Sequence, residues 1–375
     1  ITGVPHHGTL LSSIVKDAVP RYQTMKGKHV ERVWGWDTHG LPAENFIENK
    51  LGITDRHEIG TRVSLEEYIT TARESMIQTG NLWEETIDRI GRWVDFQGAY
   101  KTMDKDYMES VWWAFKQLYE KGKIYEGERV LMYDTKWATP LSKAEVTMDA
   151  GAYQVVTDPS VYTKFELTPE SVGESTKTLN LPVYFLAWTT TPWTLPANTA
   201  LAVNSETEYV EAKVADEIFI LAKDLAPKVF TDEKHQPVPY EVLHEFKGSK
   251  LVGKTYEPLL GVDRGEHAHE VYAADYVTTE SGTGIVHLAP AYGEEDFALA
   301  RANDIPVVHV LDEYGLYTEG DWAGEDVWAI NKTIAKTLLE RGVVWKIDYI
   351  QHEYPHNPRT GNRLMYRAHP SWFMD

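Results

Sequence analysis

Four short segments contain residues capable of chemistry at the ends of predicted strands or the starts of predicted helices. The first, residues 3–9 (GVPHHGT), precedes a run with helical apolar spacing. Glycines let the backbone approach a ligand, and a helix N-terminus offers unpaired N–H groups to a phosphate. A histidine there can donate to phosphate oxygens as charge builds in a transfer reaction. A plain surface turn with two histidines fits the same residues, so the spacing leaves both interpretations open.

The second segment, residues 35–44 (GWDTHGLPAE), directly follows a predicted strand. Ligands of open α/β sheets bind outside the carboxyl ends of strands, which is where Asp37 and His39 would lie. Asp37 could pair with a substrate ammonium. The same two side chains could equally cap the next helix.

The other two segments are residues 187–199 (AWTTTPWTLPANT) and 282–296 (GTGIVHLAPAYGEED). The hydroxyls of Thr189, Thr190 and Thr191 could bind a ribose, an ester carbonyl or a water. β-Branched threonines also simply favour strands. Asp296 falls in a predicted first helical turn, where an acidic residue is ordinarily a partner of the helix dipole.

The elements that position these segments follow from the apolar patterns. Helical spacing covers residues 10–25, where Pro20 is expected to kink or shorten the helix, and continues over 65–90 and 106–121. Residues 30–34 are predicted to form a buried strand. From about residue 152, short β-branched and aromatic runs predict a β-rich module, with strands at 161–165, 183–188, 209–214, 218–221 and 285–289 and helices over 294–303 and 325–341. The predicted fold class is α/β.

Composition narrows the function classes. The 375 residues include no cysteine, which excludes disulfides, thiolate zinc sites and cysteine nucleophiles and fits a reducing cytoplasm. The net charge of −20 argues against a non-specific DNA coat protein but leaves room for a local basic groove. No apolar run has membrane-spanning length and no secretory signal is visible, so we expect a cytoplasmic protein without a membrane partner. The first residue is Ile, which predicts a fragment of a longer chain.

Taken together, the segments resemble class I aminoacyl-tRNA synthetases, and the isoleucyl branch in particular. The resemblance implies the first half of a Rossmann-like catalytic domain (residues 1–152), an inserted β-rich editing (CP1) domain (153–346), and a return to the catalytic domain (347–375). It implies ATP-dependent activation of L-isoleucine, with ATP as its Mg²⁺ complex, and transfer to tRNA(Ile). It also implies hydrolytic editing of valyl-tRNA(Ile), by a monomer.

The resemblance also assigns residues to roles. Those implied for ATP are His6, Gly8 and Thr9, and those implied for the amino acid are Pro5, Asp37, His39 and Trp372. The implied editing pocket comprises Trp188, Thr189, Thr190, Thr191, His287 and Asp296. Within it Asp296, Thr190 and Thr191 are the catalytic set, acting on a positioned water. Asp296 would bind the α-ammonium of the misacylated residue, and His287 would line the pocket that admits valine. Valyl and leucyl relatives usually carry Arg where this chain has Thr191, which favours the isoleucyl branch.

The chain departs from the family pattern in three places. Thr9 stands where the nucleotide-binding His-x-Gly-His signature has its second histidine, and a hydroxyl brings no positive charge, so slowed adenylation is expected. Residues 133–137 and 356–357 occupy places where relatives often hold cysteines, so zinc is not expected. No Lys-Met-Ser-Lys-Ser-type loop or anticodon-binding domain occurs. We therefore expect the chain to be competent at most for editing.

Two alternatives remain. One is a stand-alone deacylase that clears mischarged tRNA. The other is a non-enzymatic RNA-binding relic, suggested by Thr9 and the absent segments. The intact threonines and Asp296 argue against the relic.

Overall fold

The computed structural model describes residues 3–147, 151–232, 235–358 and 360–375. Contacts divide the chain into two compact units. The first comprises residues 1–125 and 372–375, and the second comprises residues 126–371. The predicted domain limits at residues 152 and 346 stay a prediction. Across the described residues, no helix has the length and apolar character that a bilayer span requires.

The first unit contains two parallel strands and four helices. The strands are β1 (Val33–Trp36) and β2 (Asp95–Lys101), and the helices are α1 (His7–Met25), α2 (Leu41–Leu51), α3 (Leu65–Arg89) and α4 (Lys105–Glu120). Trp34 and Trp36 alternate inward from β1 and pack with Ile87. The predicted strand at 30–34 is wrong by about three residues, because the inward-facing pair lies later than the apolar run suggested. α1 continues through Pro20 and is not shortened there.

The second unit is built on three sheets, and the first two residues of its first strand and the last three of its last strand fall within the limits of the first unit. Along the chain its strands are β3 (Ile124–Asp134), β4 (Thr139–Leu141), β5 (Tyr153–Glu166), β6 (Val183–Thr189), β7 (Ala200–Val203), β8 (Glu208–Val214), β9 (Glu217–Ala222), β10 (Glu241–Lys247), β11 (Glu270–Ala273), β12 (Ile285–Leu288), β13 (Val344–Pro355) and β14 (Leu364–Met374). The sheet orders are β10-β8-β9-β6-β5-β13, β11-β7-β12 and β14-β3-β4. The helices are α5 (Glu174–Lys177), α6 (Ala226–Val229), α7 (Glu294–Asn303) and α8 (Val327–Glu340).

The core of this unit lies on the six-stranded sheet. Phe165, Phe185 and Phe219 are fully buried, on the neighbouring strands β5, β6 and β9. Each predicted strand of the β-rich module falls on an observed strand, and α7 has the predicted bounds. β6 and β12 both end where the candidate residues begin, so the two sheets position the threonine-rich segment and the segment that contains Asp296.

One residue of the β3–β4 turn adopts a backbone conformation that favours glycine. Ala138 has a φ of 47°, where a Cβ crowds the following carbonyl at a cost of roughly 1–2 kcal/mol. We expect Ala138→Gly to raise the free energy of unfolding by about 0.5–1 kcal/mol after the entropy of glycine is counted, measured by urea denaturation. Ala329→Gly, within α8 and exposed, should instead lower it by about 1 kcal/mol. Equal losses in both variants would contradict the prediction.

Candidate functional site

The threonine-rich segment turns sharply as it leaves β6. Thr189 ends the strand, and a 3₁₀ turn (Pro192–Ala197) follows. The Oγ1 of Thr189 accepts the backbone N–H of Thr191 at 3.2 Å and lies 3.1 Å from the Oγ1 of Thr191. These bonds order two of the three hydroxyls, and the third, on Thr190, lines the cavity next to the segment.

A cavity of about 260 Å³ borders this turn. One wall is formed by Trp188, Thr189 and Thr190, and the other by Tyr276, Thr278 and residues 281–286. Gly282 and Gly284 have φ of 75° and 73°. A Cβ on Gly282 would lie 3.1 Å from the Trp188 ring, and one on Gly284 would lie 2.5 Å from the Cβ of Ala222. Only glycines therefore let this loop approach β6 and β9 so closely, and they shape the cavity.

Tyr276 supplies a polar group to the cavity wall that the sequence did not indicate. Its hydroxyl oxygen is buried, with no hydrogen-bond partner in the described part of the chain. Burial first, and then the carboxylates of Asp296 and Glu295, raise the pKa of Tyr276. The phenol therefore remains protonated at neutral pH, next to the predicted ammonium-binding acid.

His287 lies behind the threonine-rich segment. Its side chain is buried, and both ring nitrogens are engaged: Nε2 lies 2.8 Å from the Oγ1 of Thr194, and Nδ1 lies 3.1 Å from the Nδ2 of Asn198. Burial lowers the pKa of His287 to about 4, so the ring is neutral at physiological pH. Its role in admitting valine stays a prediction, since its polar contacts are with the turn.

Asp296 lies in the first turn of α7. Its carboxylate accepts the backbone N–H of Ala289, just after β12, at 2.9 Å. Burial raises the pKa of Asp296 to about 6, and the nearby carboxylate of Glu295 also raises it. A Cβ on Gly293 would lie 2.9 Å from this carboxyl group, so glycine there leaves room for it. Taking a carboxylate out of water without a paired cation is costly even when its burial is partial, and the ammonium of a ligand would supply that cation.

In the first unit, the residues implied for ATP surround the start of α1. His6 is the N-cap residue, with no side-chain cap hydrogen bond, and Gly8 and Thr9 lie in the first turn. A Cβ on Gly8 would lie 3.2 Å from the His6 ring. His6 and Gly8 are exposed, while Pro5 and Thr9 are half-buried. The exposed N-terminus of a 19-residue helix is a suitable place for an anion.

The residues implied for isoleucine lie on different elements of the first unit. Asp37 and His39 are exposed just beyond the carboxyl end of β1. Between them Thr38 is buried, and its hydroxyl lies 2.7 Å from that of Thr102, which follows β2. This bond joins the ends of the two parallel strands. Trp372 packs edge-on against Phe115 and Tyr119 of α4, at 5.8 and 6.3 Å between ring centroids.

A sequence model of the family described as tRNA synthetases class I (I, L, M and V) matches residues 1–375. The chain belongs to this family. Membership of the class I tRNA synthetases, together with the mixed α/β architecture, confirms the predicted fold class and the resemblance to this family.

Two curated class I synthetases illustrate the similarity. The isoleucine--tRNA ligase of Corynebacterium diphtheriae is 45% identical over 384 residues, covering 100% of this chain and 36% of that protein. The cytoplasmic isoleucine--tRNA ligase of Saccharomyces cerevisiae is 42% identical over 385 residues, covering 100% of this chain and 34% of that protein. The chain therefore spans about a third of the length of the curated relatives that it matches.

Solved structures of editing domains from leucyl-tRNA synthetases are also similar. The crystal structure of GlLeuRS-CP1 is 16% identical with a TM-score of 0.42, covering 50% of this chain and 99% of that one. The editing domain of the P. falciparum cytosolic leucyl-tRNA synthetase is 9% identical with a TM-score of 0.39, covering 51% of this chain and 99% of that one.

Four residues of this class I synthetase chain join the candidate site without having been predicted: Thr194, Asn198, Tyr256 and Tyr276. Thr194 and Asn198 belong to the same segment as the three threonines, and that nearness in sequence was the signal available. Tyr256 lies 58 residues from Asn198, whose side chain it contacts. No local pattern indicates that contact.

Proposed function

We propose that the second unit hydrolyses valyl-tRNA(Ile), as the editing part of an isoleucine--tRNA ligase. The observation that carries the proposal is the arrangement at the ends of β6 and β12. There, Thr189 and Thr190 line a cavity of about 260 Å³ whose Tyr276 wall lies near the half-buried carboxylate of Asp296. The isoleucine--tRNA ligases aligned with the whole chain support the choice of amino acid.

The substrate is an ester between valine and the terminal ribose of tRNA. In our proposal the carboxylate of Asp296 binds the α-ammonium, an interaction that orients the ester carbonyl. A water placed by the hydroxyls of Thr190 and Thr191 attacks that carbonyl carbon. The bond to the ribose oxygen breaks, that oxygen takes a proton from the attacking water, and free valine leaves. His287 does not serve as the base, because both of its ring nitrogens are already hydrogen-bonded.

A second site is needed because isoleucine and valine differ by one methylene. Burying that group is worth about 1 kcal/mol, so a single binding pocket discriminates only modestly between them. A hydrolytic pocket that excludes isoleucine by size and accepts valine adds a second discrimination. Trp188, next to the threonines, is the bulky wall that we expect to set this limit.

We further propose that the first unit contributes to isoleucine activation. The N-terminus of α1, with His6, Gly8 and Thr9, would bind the phosphates of the Mg²⁺ complex of ATP. Pro5, Asp37, His39 and Trp372 would bind L-isoleucine, whose ammonium would pair with Asp37. Transfer to tRNA(Ile), a monomeric state, a cytoplasmic location and the absence of zinc belong to the same proposal.

The deciding experiment is deacylation of valyl-tRNA(Ile) by the purified chain, with isoleucyl-tRNA(Ile) as the second substrate. We expect selective release of valine. Asp296→Ala should lose the activity, and Glu295→Ala should keep it, because Glu295 is an exposed acid in the same helical turn. Equal loss in both variants would indicate a general effect on α7. Release of isoleucine as fast as valine would contradict an isoleucyl editing site.

The rate should also depend on pH in a specific window. Ammonium binding needs the carboxylate form of Asp296, whose pKa is about 6. We therefore expect kcat/KM for deacylation, corrected for uncatalysed ester hydrolysis, to fall about tenfold per pH unit below pH 6. His287, with a pKa of about 4, titrates outside this window. A flat corrected profile between pH 5 and 7 would exclude Asp296 as the ammonium partner.

A further inference from the structure

A buried line of hydrogen bonds runs from Tyr256 to the threonine-rich turn. Tyr256 lies between β10 and β11 and is 1% exposed. Its hydroxyl lies 2.7 Å from the Oδ1 of Asn198. Because an amide oxygen can only accept, the phenol is the donor in this bond. Asn198 directly follows the 3₁₀ turn, so the bond ties the turn to a distant part of the chain.

The orientation of the Asn198 amide follows from its four partners, of which the carbonyl of Leu288 is the most distant at 3.5 Å. Its oxygen accepts from Tyr256, and its nitrogen donates to the carbonyl of Ala200 at 3.0 Å and to the Nδ1 of His287 at 3.1 Å. An amide nitrogen has only donors to offer, so the Nδ1 of His287 must accept and carries no proton. The neutral ring therefore carries its proton on Nε2.

The Nε2 proton points to the turn. It is donated to the Oγ1 of Thr194 at 2.8 Å, and the hydroxyl proton of Thr194 is donated to the carbonyl of Thr191 at 2.8 Å. The Oγ1 of Thr191 lies 3.2 Å from that of Thr194 and 3.1 Å from that of Thr189. The direction of donation is thus fixed from the phenol of Tyr256 to the carbonyl of Thr191.

Protonation states at neutral pH agree with this direction. Burial raises the pKa of Tyr256 well above its ordinary value, so the phenol always carries the proton that it donates. Burial lowers the pKa of His287 to about 4, so the ring does not become a double donor. The opposite tautomer would point a proton on Nδ1 at the amide hydrogens of Asn198.

We propose that Tyr256 is a positioning residue of the site. Its hydroxyl orients the Asn198 amide, which keeps His287 in the Nε2–H tautomer that holds Thr194 and the backbone of Thr191. Tyr256 acts only through these residues, from the far side of the turn. The inference deepens the proposed editing function and rests on it for its effect on rate, while the tautomer assignment stands on geometry alone.

The matched variant is Tyr256→Phe, which removes the hydroxyl and keeps the ring against Phe165 and His269, at 5.3 and 5.6 Å between ring centroids. In the full chain labelled with ¹⁵N-histidine, the two ring nitrogens of His287 should show the Nε2–H tautomer, with signals assigned by their loss in His287→Gln. In Tyr256→Phe we expect a mixture of tautomers. We also expect kcat for valyl-tRNA(Ile) deacylation to fall about tenfold with KM nearly unchanged, because the threonines that place the water lose their fixed orientation.

Tyr317→Phe is the control. Tyr317 is also buried, and its hydroxyl donates to the carbonyl of Trp193 at 2.8 Å, in the same turn but outside the line of donors. It should lose similar stability and keep the His287 signals of the unsubstituted chain. An unchanged tautomer in Tyr256→Phe would overturn the assignment, and a changed tautomer with undiminished kcat would overturn the positioning role. A wild-type chain without deacylase activity would refute the proposed function, and the NMR comparison would still decide whether Tyr256 sets the tautomer.

Discussion

Replacing Asp296 with Asn should abolish valyl-tRNA(Ile) deacylation and, above pH 7, make the protein more stable. Loss of activity follows because an amide cannot pair with the substrate ammonium. Removing one partner of a desolvated charge pair costs on the order of 3 kcal/mol, so we expect kcat/KM to fall by at least about a hundredfold. The amide oxygen can still accept the backbone N–H of Ala289, so the local fold should be kept.

The gain in stability follows from the raised pKa of Asp296. Its pKa is about 6 in the folded chain, against 3.8 for the unperturbed side chain. Between these values the folded state binds more protons than the unfolded state, so the free energy of unfolding falls as pH rises through this window. The stability contributed by the protonated group is complete below about pH 4 and lost above about pH 6. The amide of the Asp296→Asn variant does not titrate, so the variant avoids that loss.

The expected gain is about 1–2 kcal/mol above pH 7, less than the full shift implies, because the residue is partly exposed and the carboxylate also interacts favourably with the helix dipole. Urea denaturation from pH 4 to 8 measures it, and the difference between variant and wild type should vanish near pH 4. Glu295→Gln, in the same turn but exposed, should show no such gain. A less stable Asp296→Asn variant at pH 8 would mean that the acid mainly caps α7.

The sequence was sufficient for features that depend on local patterns. β-Branched runs located the strands of the second unit, and the acidic start of α7 located that helix, because periodicity and capping act within a few residues. The first strand was predicted too early, at residues 30–34. Charged Glu31 and Arg32 follow Val30, and the residues buried in β1 are instead Trp34 and Trp36. A run of apolar letters does not specify which residues pair with the neighbouring strand.

Features that depend on distant pairs were not predictable in the same way. The ring of His287 is hydrogen-bonded to the side chain of Asn198, which lies 89 residues away in the sequence. Neither residue is unusual in its own segment. The motif that contains Asp296 identified it as a candidate, but its raised pKa comes from burial that only the fold creates. Sequence reasoning thus found the groups that could do chemistry, while their protonation states and hydrogen-bond directions required the tertiary structure.

Asp134 illustrates the same point, and its removal should cause the largest loss of stability. It ends β3, is fully buried, and belongs to the segment where relatives often hold cysteines. Its carboxylate accepts two backbone N–H groups, from Lys136 at 2.9 Å and Trp137 at 3.3 Å. Three side chains more than 200 residues away also donate to it: Asn357 at 2.7 Å, Asn362 at 3.2 Å and Thr360 at 3.3 Å. One carboxylate therefore joins the β3–β4 turn to the segment before β14.

Asp134→Ala should lower the free energy of unfolding by about 3–5 kcal/mol, because it leaves several buried donors without an acceptor. Urea denaturation measures this directly. If that variant does not fold, Asn362→Ala removes a single donor and should cost about 1 kcal/mol. Asp326→Ala, which removes the N-cap of α8 and its bonds to two backbone N–H groups, should cost about 1 kcal/mol and gives the scale for a simple cap.

These variants separate two explanations of how the turn is held. If the hydrogen bonds of Asp134 hold the turn, Asp134→Ala should lower the free energy of unfolding several times more than Asp326→Ala does. Treatment with a metal chelator should then leave the melting temperature unchanged. A loss no larger than that of Asp326→Ala would mean that the packing of Met132, Leu141 and Leu364 already fixes this region. We expect the first result, since apolar contacts do not compensate for buried donors that have lost their acceptor.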